Sequence, residues 1–315
     1  MKEFRSYPMA FHGKGSEYFK IQIVNAILNI LTLGLYYPWA KERNLKYLYS
    51  KNTFEETPFV FSGTGNEMFK GFIKAFIILL AIYGAFLYFY LNDSPGWAFL
   101  ILYGGIIGLM PLAIHGSYKY RMAKTSWKGI RFGYSGDRGQ LIGLFFKGLV
   151  LTILTFGIYS AWFTINLRRY VLSNVRVGNA RFVYTGNGGD YFWLNIKGYF
   201  LTLLTFGIYM FWWQKNQFEF FVNNLRLEQD EDAVFFTSKA TGAGFAGLMI
   251  VNLLILIFTF GLGYAWVVTR TAEFVVNNIE AKGYYSFESL LQSQEDYSDA
   301  TADDMADLLD FGFVI

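Results

Sequence analysis

Counting onward in fours from four tryptophans gives the same kind of surface each time. The series are Trp39, Arg43, Tyr47, Lys51; Trp162, Asn166, Tyr170, Asn174; Trp212, Asn216, Phe220, Asn224; and Trp266, Arg270, Phe274, Asn278. Residues four apart share one helical face. Each series therefore gives a helix an aromatic, a cation or amide, another aromatic, and an amide or amine. Two chemistries are open to such a stripe. Trp39, Arg43, Trp162, Asn166, Trp212, Asn216, Trp266 and Arg270 could converge on a central polar path or a head-group site, since ionisable groups at membrane depth are costly and usually functional. Alternatively, tryptophan marks an interface belt, arginine snorkels and asparagine bonds a neighbouring helix.

Other chemistry is thinly represented. The chain has no cysteine, so disulfides, thiolate metal sites and cysteine nucleophiles are excluded. It has only two histidines, His12 and His115, too few for a histidine-rich metal centre. His115 follows an uncharged stretch and reads as a packed residue more than a ligand. No Gly-Lys-Ser/Thr run completes a phosphate loop, and no Gly-x-Gly-x-x-Gly precedes a βαβ unit. No catalytic triad or carboxylate pair can be argued from spacing. No cofactor, metal or nucleic-acid partner is expected, and the expected class is non-enzymatic.

The elements that carry the stripes recur. Leu151-Thr-Ile-Leu-Thr-Phe-Gly-Ile-Tyr159 returns as Leu201-Thr-Leu-Leu-Thr-Phe-Gly-Ile-Tyr209, 50 residues on. Leu31–Tyr36 and Phe258–Tyr264 are weaker copies. The central glycines Gly34, Gly157, Gly207 and Gly261 each precede a stripe tryptophan by five residues. Upstream lie aromatic, glycine-rich phrases: Phe11–Gly15, Phe61–Gly65, Tyr134–Gly139, Tyr184–Gly188 and a degenerate Phe236–Ala240. The aromatic precedes the glycine by 23 residues in the first, third and fourth copies, by 25 in the fifth, and the second copy carries an insertion of about 24. With Pro111 matched to Pro38, the second stripe reads Leu112, Gly116, Tyr120, Lys124 and lacks the tryptophan. About five strand–helix–turn–helix repeats follow, over 11–52, 59–127, 130–177, 180–227 and 233–285, with an acidic tail at 286–315. The linkers read as β-hairpins, most clearly Val175–Val177, Gly178-Asn179 and Ala180–Tyr184. Open sheet edges are not tolerated in lipid. The strands are therefore expected outside it, paired into a small sheet.

Lipid is the expected solvent because 54% of residues are hydrophobic and only 16% charged. Apolar stretches run over Ile21–Ala40, Phe72–Leu91, Trp97–Ile114, Gly148–Leu167, Gly198–Trp213 and Gly242–Thr269. The first residues lack the continuous apolar core and cleavage site of a secretory signal. A single crossing per repeat would put basic linkers on both faces, against the positive-inside bias. A helical hairpin per repeat, turning at Gly-Ile-Tyr, keeps every basic linker on one side; a long helix kinked there is the alternative. Eight acidic residues and no basic one lie from Glu288 onward, so the rest of the chain is strongly basic and suits an anionic leaflet. The tail alternates acids with apolar residues, as a segment docking on the basic face or binding a partner would.

The Phe-x-Gly-x-Gly phrases, Leu31-Thr-Leu-Gly-Leu-Tyr-Tyr-Pro-Trp-Ala40, the Thr-Phe-Gly-Ile-Tyr phrases and the Asp-Phe-Gly-Phe ending together resemble the YjgN-like bacterial inner-membrane proteins, a family of unknown function. The resemblance covers nearly the whole chain. It implies a bacterial inner-membrane location and supplies no catalytic or binding residues. The spans and repeats themselves lead to the expectation of a mostly α, polytopic, multi-pass membrane protein with the lipid bilayer as partner. Transport or lipid handling is the leading expectation, a membrane scaffold or envelope interaction protein the second, and a membrane enzyme the third.

Overall fold

The computed structural model describes residues 4–230, 232–285 and Leu290; the acidic tail and the docking role read for it lie outside the described residues. The described chain is mostly helical and runs β1 (Arg5–Tyr7), β2 (Met9–Phe11), α1 (Gly15–Leu31), α2 (Tyr37–Lys51), β3 (Asn52–Phe54), β4 (Thr57–Pro58), β5 (Val60–Phe61), α3 (Gly65–Leu91), α4 (Pro95–Lys124), β6 (Thr125–Trp127), β7 (Ile130–Tyr134), α5 (Arg138–Leu154), α6 (Ser160–Ser173), β8 (Val175–Val177), β9 (Ala180–Tyr184), α7 (Gly188–Leu204), α8 (Met210–Asn223), β10 (Leu225–Gln229), β11 (Asp232–Ser238), α9 (Gly242–Phe258), α10 (Tyr264–Asn277) and β12 (Ile279–Tyr284).

The sheet is much larger than the small one expected. Nine strands run in the order β1-β12-β11-β10-β9-β8-β7-β6-β5, and β2-β3-β4 form a second sheet, all pairs antiparallel. β1 and β2 are one strand interrupted by Pro8, and β4 and β5 one strand interrupted by Phe59. Through these two bent strands the ladders join into a closed ring. Each bent strand pairs through one half with one sheet and through the other half with the other, so no strand run is left wholly unpaired, as short strands near lipid require. The joint of the ring is Tyr7, whose hydroxyl donates to the Tyr285 carbonyl at 2.7 Å and accepts from the Tyr285 N–H at 3.1 Å.

The helices form a second ring. Each packs on its chain neighbours, and α10 packs on α1. Every pair is a hairpin, and all but α3–α4, which turns at Asn92-Asp93-Ser94, reverse at an apolar tip. The tips are built alike: Leu33, Phe156, Phe206 and Phe260 at φ of 50–51°, then Gly34, Gly157, Gly207 and Gly261 at φ of 85–93°. That second conformation requires glycine, and the first costs about 1 kcal/mol for a residue with a Cβ. A threonine offsets the cost. Thr155 Oγ1 donates to the Leu151 carbonyl at 2.7 Å and accepts from the Tyr159 N–H at 2.9 Å, and Thr32, Thr205 and Thr259 do the same in their hairpins. Thr152 bonds the Gly148 carbonyl at 2.7 Å, whereas among the described residues the buried Thr202 hydroxyl has no partner.

These turns correct the reading of long apolar stretches. Ile21–Ala40 is not one rod but two arms folded at 32–36. Among the described residues only α3 and α4, of 27 and 30 residues, are long and apolar enough to cross a membrane. The insertion in that hairpin lengthens both helices, since α5 and α6 have 17 and 14 residues.

The structure also corrects the fifth glycine phrase. Ser238, not Phe236, ends β11 where Tyr134 and Tyr184 end β7 and β9. Counted from Ser238, the distance to Gly261 is 23 residues, as from Phe11, Tyr134 and Tyr184 to their tip glycines. A Cβ on Gly186 would come within 2.7 Å of the Tyr184 ring. Ser238 has no ring, and the matching position is Ala240.

Candidate functional site

The hairpins are layered. Residues of successive second helices share core clusters on the ring interior, with strand and first-helix side chains between them. Leu45 of α2 and Tyr120 of α4 share a core cluster, as do Tyr118 and Val171 of α4 and α6. The Arg168 guanidinium of α6 lies 4.2 Å from the Phe221 ring of α8. Phe245 of α9 bridges Phe218 of α8 and Phe274 of α10, and Ala265 of α10 joins Tyr47 of α2. The first helices instead expose apolar residues at helical spacing: Ile23, Ile27, Ile30 on α1; Phe146, Val150, Ile153 on α5; Ile250, Leu254, Ile257 on α9. Second helices therefore make the inner layer and first helices the periphery.

Each stripe tryptophan sits at a seam between hairpins. A Cβ on Gly65, Gly188, Gly242 or Gly15, the residues that open the next first helix, would come within 2.3–2.5 Å of the indole of Trp39, Trp162, Trp212 or Trp266. The last pair closes the ring from α10 to α1. Trp39 also donates Nε1–H to Asn66 Oδ1 at 3.2 Å and stands 5.1 Å from the Phe69 ring. Where α4 carries Leu112 in place of tryptophan, α5 opens with Arg138 in place of glycine. Because Trp39 lies in the first turn of α2 yet meets the first residue of α3, the hairpins lean around the ring, and their height falls below the roughly 25 Å length of a 17-residue helix. Trp162→Ala should cost about 2–3 kcal/mol of stability, as removal of a partly buried aromatic does, measured by thermal unfolding in mild detergent.

The second stripe position points outward, between a second helix and its flanking first helices. Arg43 lies 5.6 Å from the Tyr36 ring. Arg270 Nε–H donates to Asn252 Oδ1 at 3.3 Å. Asn216 Nδ2 donates to Tyr209 Oη at 3.5 Å. Asn166 lines an open cavity of about 560 Å³ between α5 and α6, with Lys147, Tyr159, Arg169 and Tyr170. The contacts thus distribute the eight residues around the ring, one pair to each of four hairpins. A second cavity of about 640 Å³, near the α6 tip, is lined by Thr164, Tyr191, Asn195, Tyr199 and Trp213.

Sequence reasoning missed a set of amide clamps within the hairpins. Asn25 Nδ2 donates to the Ala40 carbonyl at 3.2 Å and to Asn44 Oδ1 at 3.1 Å. Asn195 Oδ1 accepts from Gln217 Nε2 at 2.7 Å and Trp213 Nε1 at 3.2 Å, and Asn252 Nδ2 donates to Thr271 Oγ1 at 3.0 Å. The available signal was an amide inside an otherwise apolar arm. At the sheet end, burial pushes the Tyr134 phenol up and the Tyr184 phenol to about 12, so both stay neutral. His115 is buried against Tyr134, ring centroids 5.5 Å apart.

The comparisons with known proteins agree on one family. The curated relatives are named Inner membrane protein YjgN. That of Salmonella typhimurium is 32% identical over 133 residues, 42% of this chain and 32% of the relative. That of Escherichia coli O157:H7 is 31% identical over 130 residues, 41% and 31%. The match thus spans about a third of the length of these relatives. No solved structure matches. The family model described as "Bacterial protein of unknown function (DUF898)" matches residues 6–182 and 215–308, most of the chain, and the chain belongs to this YjgN-like family.

Proposed function

We propose that this is an inner-membrane protein built from repeats of one unit, held by a single crossing hairpin, whose other four hairpins dip into the cytoplasmic leaflet and handle lipid there. One observation carries this reading. In the second helices, the first charge after the tip glycine comes at Lys41, Arg168, Lys215 and Arg270, seven to eleven residues on. At about 1.5 Å per residue that is about 10–17 Å, close to half of a hydrocarbon core of about 30 Å. In contrast, α3 and α4 are uncharged over 75–92 and 94–118, about 27 and 37 Å, enough to cross. The tips are fully exposed: Leu33 94%, Phe156 98%, Phe206 98% and Phe260 96%. Four protruding apolar tips without a charge are costly in water and stable in hydrocarbon. The basic linkers then all lie at the sheet end, which suits an anionic cytoplasmic surface. The names of the relatives support an inner-membrane location.

The absence of cysteine gives a clean test. Single cysteines at Ser94, Phe206 and Thr185 would be challenged in intact cells and in inverted vesicles with a membrane-impermeant maleimide. Ser94→Cys should label from the outside only, Thr185→Cys from the cytoplasmic side only, and Phe206→Cys from neither. Labelling of Phe206→Cys from outside would mean that the hairpins cross, and the reading would fall.

A further inference from the structure

We propose that the outward groove of the α5–α6 hairpin binds the phosphate of an anionic phospholipid taken from the surrounding leaflet. The inference rests on the immersion argued above and assigns a ligand to one groove. The cavity of about 560 Å³ is lined by two cations, Lys147 on α5 and Arg169 on α6, with Asn166, Tyr159 and Ser173 beside them. No acidic side chain lines it. Asp137, at the foot of α5, caps that helix by accepting from the Gln140 N–H at 2.7 Å. Among the described residues the Lys147 ammonium and the Asn166 amide have no hydrogen-bond or ion-pair partner, although Lys147 sits mid-way along an apolar helix. Arg169 uses Nη2 on the Gly186 carbonyl and keeps the rest of its fork for a ligand. An uncompensated cation near hydrocarbon is costly. A phosphate anion held by a lysine point charge and an arginine fork removes that cost.

Depth and the other hairpins agree with the assignment. Lys147 lies nine residues before Phe156, about 13 Å down the helix from the tip, so a tip near the bilayer midplane sets the ammonium at head-group level. The exposed Phe146, Val150 and Ile153 flank the path the acyl chains would take. The pairing of cations is particular to this hairpin among the described ones of its length. In α8 the place of Arg169 is taken by Glu219, bonded to Lys215; in α10 it is Glu273; in α2 it is Lys46, already paired with Glu42 at 2.5 Å. The place of Lys147 is Val24 in α1 and Val251 in α9.

The test uses the full chain in mild detergent with mixed micelles of phosphatidylglycerol or phosphatidylcholine, read by native mass spectrometry. The wild type should retain one phosphatidylglycerol in preference to phosphatidylcholine. Lys147→Gln should lower that retention about tenfold, as loss of a charge-assisted hydrogen bond does. Lys147→Arg should restore it, and Lys197→Gln, at the same position of α7, should leave it unchanged. Equal retention by Lys147→Gln and wild type, or equal binding of the two lipids, would overturn the site. Displacement of the lipid by millimolar inorganic phosphate would reassign it to a free phosphate and overturn the lipid assignment. These results are separable from a failure of immersion, which the cysteine labelling reads with no lipid added.

Discussion

Gly283→Val should prevent the sheet from closing, at a cost above about 3 kcal/mol, because the clash is with backbone that has nowhere to go. Gly283 lies on β12 between Arg5 of β1 and Val234 of β11. A Cβ there would stand 1.9 Å from the Ala233 carbonyl oxygen and 2.9 Å from the Val234 Cα. Ala233 belongs to the longest ladder of the sheet, so moving it breaks the β11–β12 register. Leaving it in place expels β12 and takes the Tyr7–Tyr285 joint with it. The prediction is checked by thermal unfolding in detergent and by the amount of protein recovered from membranes. Tyr284→Val, on the same strand and 48% exposed, should cost less than about 1 kcal/mol. Comparable losses in the two variants would mean that closure at β12 is not what the glycine secures.

The second large effect is expected where the protein itself makes no contact. Phe206 is 98% exposed at its tip. In water, Phe206→Lys would be neutral or favourable, and the backbone at φ 50° accepts either side chain equally. Immersed in hydrocarbon, the same change should cost about 2–3 kcal/mol, the insertion cost of a lysine at mid-membrane depth. Phe156→Lys and Phe260→Lys should behave alike, and the three together should keep the hairpins out of the leaflet. Carbonate extraction of membranes and the yield of folded protein are the measurements. A triple variant integrated as well as wild type would place the tips in water.

Much of this architecture is legible in the residues, and the exceptions have physical causes. The helix–turn–helix hairpins follow from Thr-Phe-Gly-Ile-Tyr, since a glycine at positive φ behind a threonine ties off one helix and starts the next. The hairpin of β8 and β9 follows from Gly178-Asn179, with Gly178 at φ 55°. Ring closure is not legible, because Arg5–Tyr7 carries no strand signal until β12 is there to pair with it, 276 residues away at Tyr7 and Gly283. Periodicity named the stripe but not its direction. A column of Trp, Arg or Asn and a further aromatic has the same spacing whether it faces a shared centre or a groove between neighbours. The steric match of Trp162 to Gly188 sets that indole against the neighbouring hairpin. The Phe236 assignment failed for a simpler reason: an aromatic was taken as the marker of the slot, and Ser238 fills it instead.

Tyr7 emerges from the ribosome 278 residues ahead of its partner Tyr285. At about 5–20 residues per second, the interval is roughly fifteen seconds to a minute. Through that interval the amino-terminal strand waits with one edge unpaired, while later hairpins are still being made. A nascent chain stalled before β12 would lack both ladders of that strand, to β11 and to β1, and still be open, so synthesis of β12, more than any earlier step, times the moment at which the sheet becomes a single cooperative body.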